Sequence, residues 1–197
     1  ESVIRNQIEI DEGDPFNQIL YSKSLNNIKA LNFFEKVEGE ILEGNKFKTK
    51  IINFTIEEKA TGEIFAGIGT GTEGSSLSFG VKENNYLGRG IMVDSNLNVS
   101  DERIKGKFSV SNPNYKNSDK NLDLSLDATS VDRLATAGYK SNITGFSIGT
   151  QFEFLDDLRL GLSTKNIIEK IDVDASASAK QKKQDGNYFD SFIGVDF

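Results

Sequence analysis

The stretch Thr61–Gly90, TGEIFAGIGTGTEGSSLSFGVKENNYLGRG, decides how the rest of the chain is read. Its first glycines, Gly67, Gly69 and Gly71, alternate with Ala66, Ile68 and Thr70. A period of two means a strand, because successive side chains point to opposite faces. One face of this strand is nearly bare, so another backbone can approach it closely and it pairs weakly. Gly69-Thr-Gly71-Thr-Glu-Gly74 also matches G-x-G-x-x-G, and Asp94 lies about 20 residues on, where a dinucleotide site wants an acid. Ser75–Lys82 alternates as a strand, however. The helix N-terminus that would hold a pyrophosphate is missing, and the nucleotide reading falls.

Composition changes at this stretch. Of the 18 glycines in 197 residues, 3 precede residue 61. The charge balance does not change with it. The net charge is −7 and no basic patch forms, so no nucleic-acid partner is expected. Cysteine and histidine are absent. That excludes disulfides, thiolate metal sites and Ser–His or Cys–His catalysis. The remaining carboxylates, serines, lysines and tyrosines form no convincing catalytic pair, so no enzyme, cofactor or metal is expected. Asp172-Val-Asp174 and Asp156-Asp157 lack the loop spacing of a calcium cage and read as solvated turn charges. The sequons at Asn53, Asn98 and Asn142 sit in or beside strands and read as chance. No apolar run approaches the roughly 20 residues of a membrane-spanning helix, which leaves strands open as a way across a bilayer.

Upstream, residues 1–60 read as a small α/β domain. Ser2–Ile10 is expected as a short strand, with Ile4, Ile8 and Ile10 to one side. Asp14 and Pro15 suit the start of a first short helix that turns Ile19 and Leu20 inward. Leu25, Ile28 and Leu31 predict a second helix over Ser22–Leu31, with Asn32 at its C-terminal end. Phe34–Leu42 and Lys48–Glu58 read as two strands joined by a turn at Glu43-Gly-Asn-Lys46, and Phe33, Phe34 and Phe54 as core. The order is β-α-α-β-β, with helices on one face of a sheet whose edges could accept a strand.

Downstream, every segment alternates. With Glu63–Gly71 there are eight strands, the others centred on Leu77–Lys82, Ile91–Val99, Ile104–Val110, Leu122–Thr129, Phe146–Phe154, Leu158–Ser163 and Phe189–Phe197. Polar segments join them, at Asn84-Asn85, Ser100–Glu102, Asn112–Asn121, Asp132–Asn142, Asp156-Asp157 and Asp174–Asn187, the last read as mobile. The apolar faces could meet in a soluble sandwich or face lipid in a barrel. Lys82, Asp94, Lys105, Lys107, Asp123, Asp127, Glu153 and Arg159 share the polar faces, which favours a wet lumen; the absence of Trp counts mildly against it.

The ordered set Phe33-Phe-Glu-Lys-Val37, Thr61-Gly62, Gly67-Ile-Gly69, Gly80-Val81, Asn85-Tyr-Leu-Gly-Arg-Gly90 and Ser109-Val-Ser-Asn-Pro113 resembles the junction of the last POTRA domain with the first barrel strands in the BamA family. The motifs run from residue 1 to about 130. The resemblance implies a POTRA domain over residues 1–60 in the periplasm and the N-terminal part of a sixteen-stranded outer-membrane barrel over 61–197. The family's Val-Arg-Gly-Phe/Tyr loop motif is not found in these residues. The implied activity is insertion of β-barrel proteins into the outer membrane. Unfolded outer-membrane proteins, BamD-like accessory lipoproteins and the lipid bilayer are the implied partners. A substrate strand would pair with the first barrel strand, here Glu63, Ile64, Phe65, Ala66, Gly67, Ile68, Gly69, Thr70 and Gly71, an exchange that needs no catalytic residue. TamA-like or two-partner secretion translocators, and a soluble sandwich module, stand as alternatives.

Overall fold

The computed structural model describes residues 2–71, 74–155, 158–175 and 177–197. The chain divides into two units at Thr61/Gly62, apart from the turn Leu87–Arg89, which groups with the first.

The first unit opens with helix α1 (Ser2–Arg5) rather than the expected strand. Asn6 N–H donates to the Ser2 carbonyl at 3.0 Å and Gln7 N–H to Ile4 at 3.0 Å, so the segment closes helical turns. Ile4 and Ile8 satisfy a spacing of four as well as one of two, and helical spacing prevails here. The two expected helices are one, α2 (Gln18–Ala30). Asn17 caps it: its Oδ1 accepts from Ile19 N–H at 2.8 Å and Leu20 N–H at 3.4 Å. Asp14 instead closes the preceding turn, accepting from Asp11 N–H at 3.3 Å. This later start leaves Ile19 78% exposed, not inward. Tyr21, Ser24 and Ile28 are buried at helical spacing, and Leu25 and Leu31 are half-buried. Ser24 is satisfied, since its Oγ donates to the Leu20 carbonyl and accepts from Glu9 N–H, both at 2.8 Å. Asn32 ends the helix with φ 57°, a left-handed conformation Asn tolerates.

Strands β1 (Phe34–Glu43) and β2 (Lys50–Glu58) pair antiparallel, with Ile41 opposite Ile52 and Val37 opposite Ile56. The connection is longer than expected, closed where Gly44 N–H donates to the Thr49 carbonyl at 2.8 Å. Tyr21 lies across Gly39, where a Cβ would fall 2.3 Å from its hydroxyl, and stacks on Phe54 at 6.1 Å between centroids. Phe33 and Phe34 are half-buried and meet edge to face. A groove of about 780 Å³ remains open, lined by residues including Ile4, Ile8, Ile10, Ile52, Phe54 and Ile56.

The second unit is one antiparallel sheet of eight strands: β3 (Gly62–Gly71), β4 (Gly74–Tyr86), β5 (Ile91–Ser100), β6 (Arg103–Asn112), β7 (Asn121–Arg133), β8 (Tyr139–Leu155), β9 (Leu158–Val173) and β10 (Gly186–Asp196). They lie side by side in chain order, with β3 and β10 at the ends. Short helices α3 (Leu134–Ala137) and α4 (Ala179–Lys182) sit in two of the connections. A sandwich needs a second sheet over the apolar face; all eight strands share one sheet, and that alternative falls.

Several expected connections prove to be strand. β4 runs through Asn84 and Asn85 to Tyr86 with an irregularity after Glu83. There Asn85 Oδ1 accepts from Gly90 N–H at 2.7 Å and shapes the turn that follows. β8 and β9 extend 17 and 16 residues, past their apolar alternation. The β7–β8 connection contracts to Leu134–Gly138, closed by Gly138 with φ 74°. The pair Asp156-Asp157 and the positions Thr72 and Glu73 of the glycine motif lie outside the described residues.

Candidate functional site: the open edge of the sheet

The register sorts side chains into two faces. One row across the sheet is Ala66, Phe79, Leu97, Gly106, Ala128, Thr144, Ile168 and Phe189. The next on that face is Ile64, Val81, Ser95, Phe108, Leu126, Phe146, Asn166 and Ser191. Its large apolar members are exposed: Phe79 51%, Leu126 51%, Ile193 84%. Among the described residues of this unit no second sheet covers them, and so broad an apolar face marks an interaction surface.

The opposite face carries Glu63, Lys82, Asp94, Ser109, Ser125, Ser147 and Lys165 in one row, which ends on β10 at Phe192. The eight charged residues singled out from the sequence all lie on this face. Two of them bond to neighbours there, Asp127 to Lys165 at 3.8 Å and Asp123 to the Ser111 hydroxyl at 2.5 Å, and the Ser125 and Ser147 hydroxyls meet at 2.7 Å.

β3 forms the candidate site. It pairs with β4 on one side, Glu63 opposite Lys82, Ile68 opposite Leu77, Gly71 opposite Gly74. As the end strand it has no second neighbour among the described residues. All ten of its residues are exposed. Glu63, Ile64, Phe65, Ala66, Gly67, Ile68, Gly69, Thr70 and Gly71 therefore lie together along one edge, held by backbone bonds to a single partner.

The glycines now separate. A Cβ at Gly67 or Gly71 meets nothing within 4 Å, and one at Gly69 comes 3.3 Å from Ser76 Oγ. Close packing inside this sheet does not require glycine at positions 67 and 71. Gly80 is different, and its partner is not legible from the alternation alone. The Phe65 ring lies across it, and a Cβ there would fall 1.9 Å from Phe65 Cζ. An aromatic covering a cross-strand glycine restores packing that the glycine gives up. Phe65 thus pins the start of β3, while Gly67–Gly71 lack any such anchor. A second polar pair escaped the sequence reading: Ser191 Oγ donates to Asn166 Oδ1 at 2.9 Å on the otherwise apolar face. Asp172, one of the acidic residues weighed as a metal ligand, is paired with Lys170 at 2.9 Å. Among the described residues no helix is long and apolar enough to cross a membrane, which says nothing of strands.

The comparisons with known proteins agree with this architecture. The POTRA family (surface antigen variable number repeat) matches residues 1–59. A protein of Treponema pallidum (strain Nichols), named as a candidate outer membrane protein assembly factor, is 27% identical over 108 residues, covering 52% of this chain and 13% of that protein. The structure of BamA from Haemophilus ducreyi lacking POTRA domains 1–3 superposes with a TM-score of 0.77 at 22% identity, over 100% of this chain and 40% of that one. CdiB from Acinetobacter baumannii gives a TM-score of 0.52 at 11% identity, over 98% of this chain and 36% of that one. At these identities the two structures speak for the fold, and the chain spans well under half the length of each relative. Residues 1–59 are a POTRA domain, and the eight strands after it form an unclosed antiparallel sheet with the fold of the BamA barrel.

Proposed function

We propose that this chain is part of an outer-membrane factor that inserts β-barrel proteins, and that β3 is the edge on which an incoming strand is templated. The observation that supports this reading is a ten-residue strand at the end of the sheet, exposed throughout and with one pairing partner among the described residues. A free edge offers N–H and C=O groups in a fixed register to any extended segment, whatever its side chains. Such an exchange makes and breaks hydrogen bonds alone, so the protein acts without enzymatic chemistry. On this reading the exposed apolar face lies against lipid and the charged face toward a lumen, with residues 62–197 in the outer membrane and the POTRA domain in the periplasm. Unfolded outer-membrane proteins are the substrates. A BamD-like lipoprotein is the accessory partner on the POTRA side.

A second reading is favoured by the likeness to CdiB: a translocator of the two-partner type, or a TamA-like relative, built on the same POTRA–barrel plan. The two differ in what the edge does, since a translocator keeps its seam closed while a chain passes through the lumen.

Site-directed crosslinking in the full-length protein tests the proposal. Ile68→Cys on β3 and Ser147→Cys on the charged face are each presented to a stalled substrate carrying a single cysteine. Templating predicts crosslinks along positions 63–71 in a strand register. Crosslinks at Ser147→Cys with none along 63–71 would sink it in favour of translocation.

A further inference from the structure

The connections β3–β4, β5–β6, β7–β8 and β9–β10 all lie at one end of the sheet, the end away from Gly62, because the strands run antiparallel in chain order. Each of them touches the next. The β5–β6 turn carries two acidic residues, Asp101 and Glu102, which reach opposite neighbours. Glu102 makes three bonds to the β7–β8 connection. Its Oε2 accepts from Arg133 Nε at 2.7 Å, its Oε1 from Thr136 Oγ1 at 3.2 Å, and its carbonyl from Asp132 N–H at 2.8 Å. The Glu102 and Arg133 side chains are 28% and 30% exposed, so water screens their ion pair only in part.

Asp101 reaches the other way, to the β3–β4 turn. Its carboxylate lies so close against Gly74 that a Cβ there would run into it. Gly74 also has φ 84°, so its backbone and the carboxylate over it both call for glycine. The β9–β10 connection, expected as mobile, is tied in on the far side. Asp174 N–H donates to the Gly138 carbonyl at 2.9 Å and Gln181 Nε2 to the Ala137 carbonyl at 2.8 Å, while Ser178 and Gln181 cap α4 reciprocally.

We infer that Glu102 is the clasp through which this row of connections holds the edge hairpin β3–β4. Asp101 and Glu102 are neighbours in a turn of two residues between Ser100 and Arg103. Fixing Glu102 at three points fixes where the Asp101 carboxylate stands. The β3–β4 turn is thereby restrained by bonds made at the β7–β8 connection, well inside the sheet. The hairpin is then held near its start by Phe65 over Gly80 and at its turn by Asp101. The stretch Gly67–Gly71 lies between these two restraints. Glu102 acts through Asp101 and is a positioning residue; releasing it frees the turn end and leaves Phe65 in place. The clasp concerns how the hairpin is held, does not depend on strand templating at β3, and is read without any substrate.

Hydrogen exchange in the full-length protein in detergent tests the clasp. The amides of residues 69–71 and 75–77 report the turn end of the hairpin, and those of 148–151 report β8 toward the other end of the sheet. Glu102→Ala should raise exchange at the hairpin by about 2- to 10-fold, the factor of a partly exposed charged hydrogen bond, with 148–151 unchanged. Asp101→Ala should raise it by a similar factor. The double variant should exchange no faster than the faster of the two single ones, because Glu102 works through Asp101. Unchanged exchange at the hairpin in Glu102→Ala would overturn the clasp. A double variant whose factor is the product of the two single factors would also overturn it, since the two residues would then act separately. So would a rise at 148–151 as large as that at the hairpin, because the sheet as a whole would then have loosened.

Discussion

Stiffening β3 without touching its neighbours is the sharpest test of an openable edge. Gly67→Val and Gly71→Val suit this purpose, because a Cβ at either position meets nothing within 4 Å. The Cβ itself meets no described atom at either position, so the main effect expected is on the strand's own backbone freedom and pairing. A glycine in a strand interior costs about 0.5–1 kcal/mol relative to alanine, and a β-branched residue favours the pleated conformation further. The pair should therefore stabilise the paired edge by about 1–2 kcal/mol, lowering the population of opened edge by about 5- to 30-fold. The assay has two readouts on the full-length protein in proteoliposomes. Hydrogen exchange of amides 63–71 reports opening, and the rate of folding of an added β-barrel substrate reports function. If opening lies on the path, both fall by a similar factor. Slowed exchange with an unchanged insertion rate would refute the mechanism. Unchanged exchange would refute the premise that these glycines weaken the edge.

Four further outcomes are expected. Gly80→Ala drives a methyl into the Phe65 ring and should cost about 1–3 kcal/mol in urea unfolding of the barrel; Phe65→Ala in the same protein should recover most of it, a coupling a double-mutant cycle measures. Ile28→Ala empties the one fully buried apolar position described in the POTRA domain and should lower that domain's stability by about 2–5 kcal/mol in denaturant titrations. Asn17→Ala removes the cap of α2 and should cost about 1 kcal/mol by the same measurement, with Asn17→Asp close to neutral. The Glu9 carboxyl is held below its ordinary value of 4.5, chiefly by its hydrogen bond to Lys23. Its small contribution is present above about pH 4.5 and fades as pH falls through the lowered folded value, so Glu9→Gln should flatten the POTRA domain's acid-side melting curve there.

The sequence and the structure part company where one spacing serves two periods, or where polar residues hide in strands. Ile4 and Ile8 fit a strand and a helix equally, and only the closing hydrogen bonds decide between them. Asp14-Pro15 is a sound helix start in isolation, yet Asn17 outcompetes it because its side chain reaches two free N–H groups. The distal halves of β8 and β9 escaped notice because alternation there reverses its sense: Lys140, Asn142 and Lys170 break the apolar count while the strand continues. The strands of the sheet themselves were legible, since each alternates apolar and polar residues over several consecutive pairs. At the site, alternation alone marked Gly67, Gly69 and Gly71. That Phe65 belongs with Gly80, 15 positions on, depends on register, which the glycine-rich turn between them does not encode.

Both ends of the sheet pose the same physical problem. An exposed strand edge is a template for any other chain, and natural proteins blunt such edges with proline, inward charge, bulges or a covering segment. β3 has none of these along Ile64–Gly71: no proline, no charge beyond Glu63, and no register irregularity against β4. β10 is equally regular against β9, although it carries Asp190 and Asp196. Further strands that close the barrel would satisfy one side of each. A closing partner on β3 would gain backbone hydrogen bonds but little side-chain packing, since Gly67, Gly69 and Gly71 offer none on one face. The resulting seam is strong enough to form, because its hydrogen bonds recur at every second residue. It is weak enough to be exchanged, because past Phe65 one of its two faces carries only glycine at positions 67, 69 and 71. A strand that brings larger side chains to the same edge would win the competition, which is the physical condition for templating.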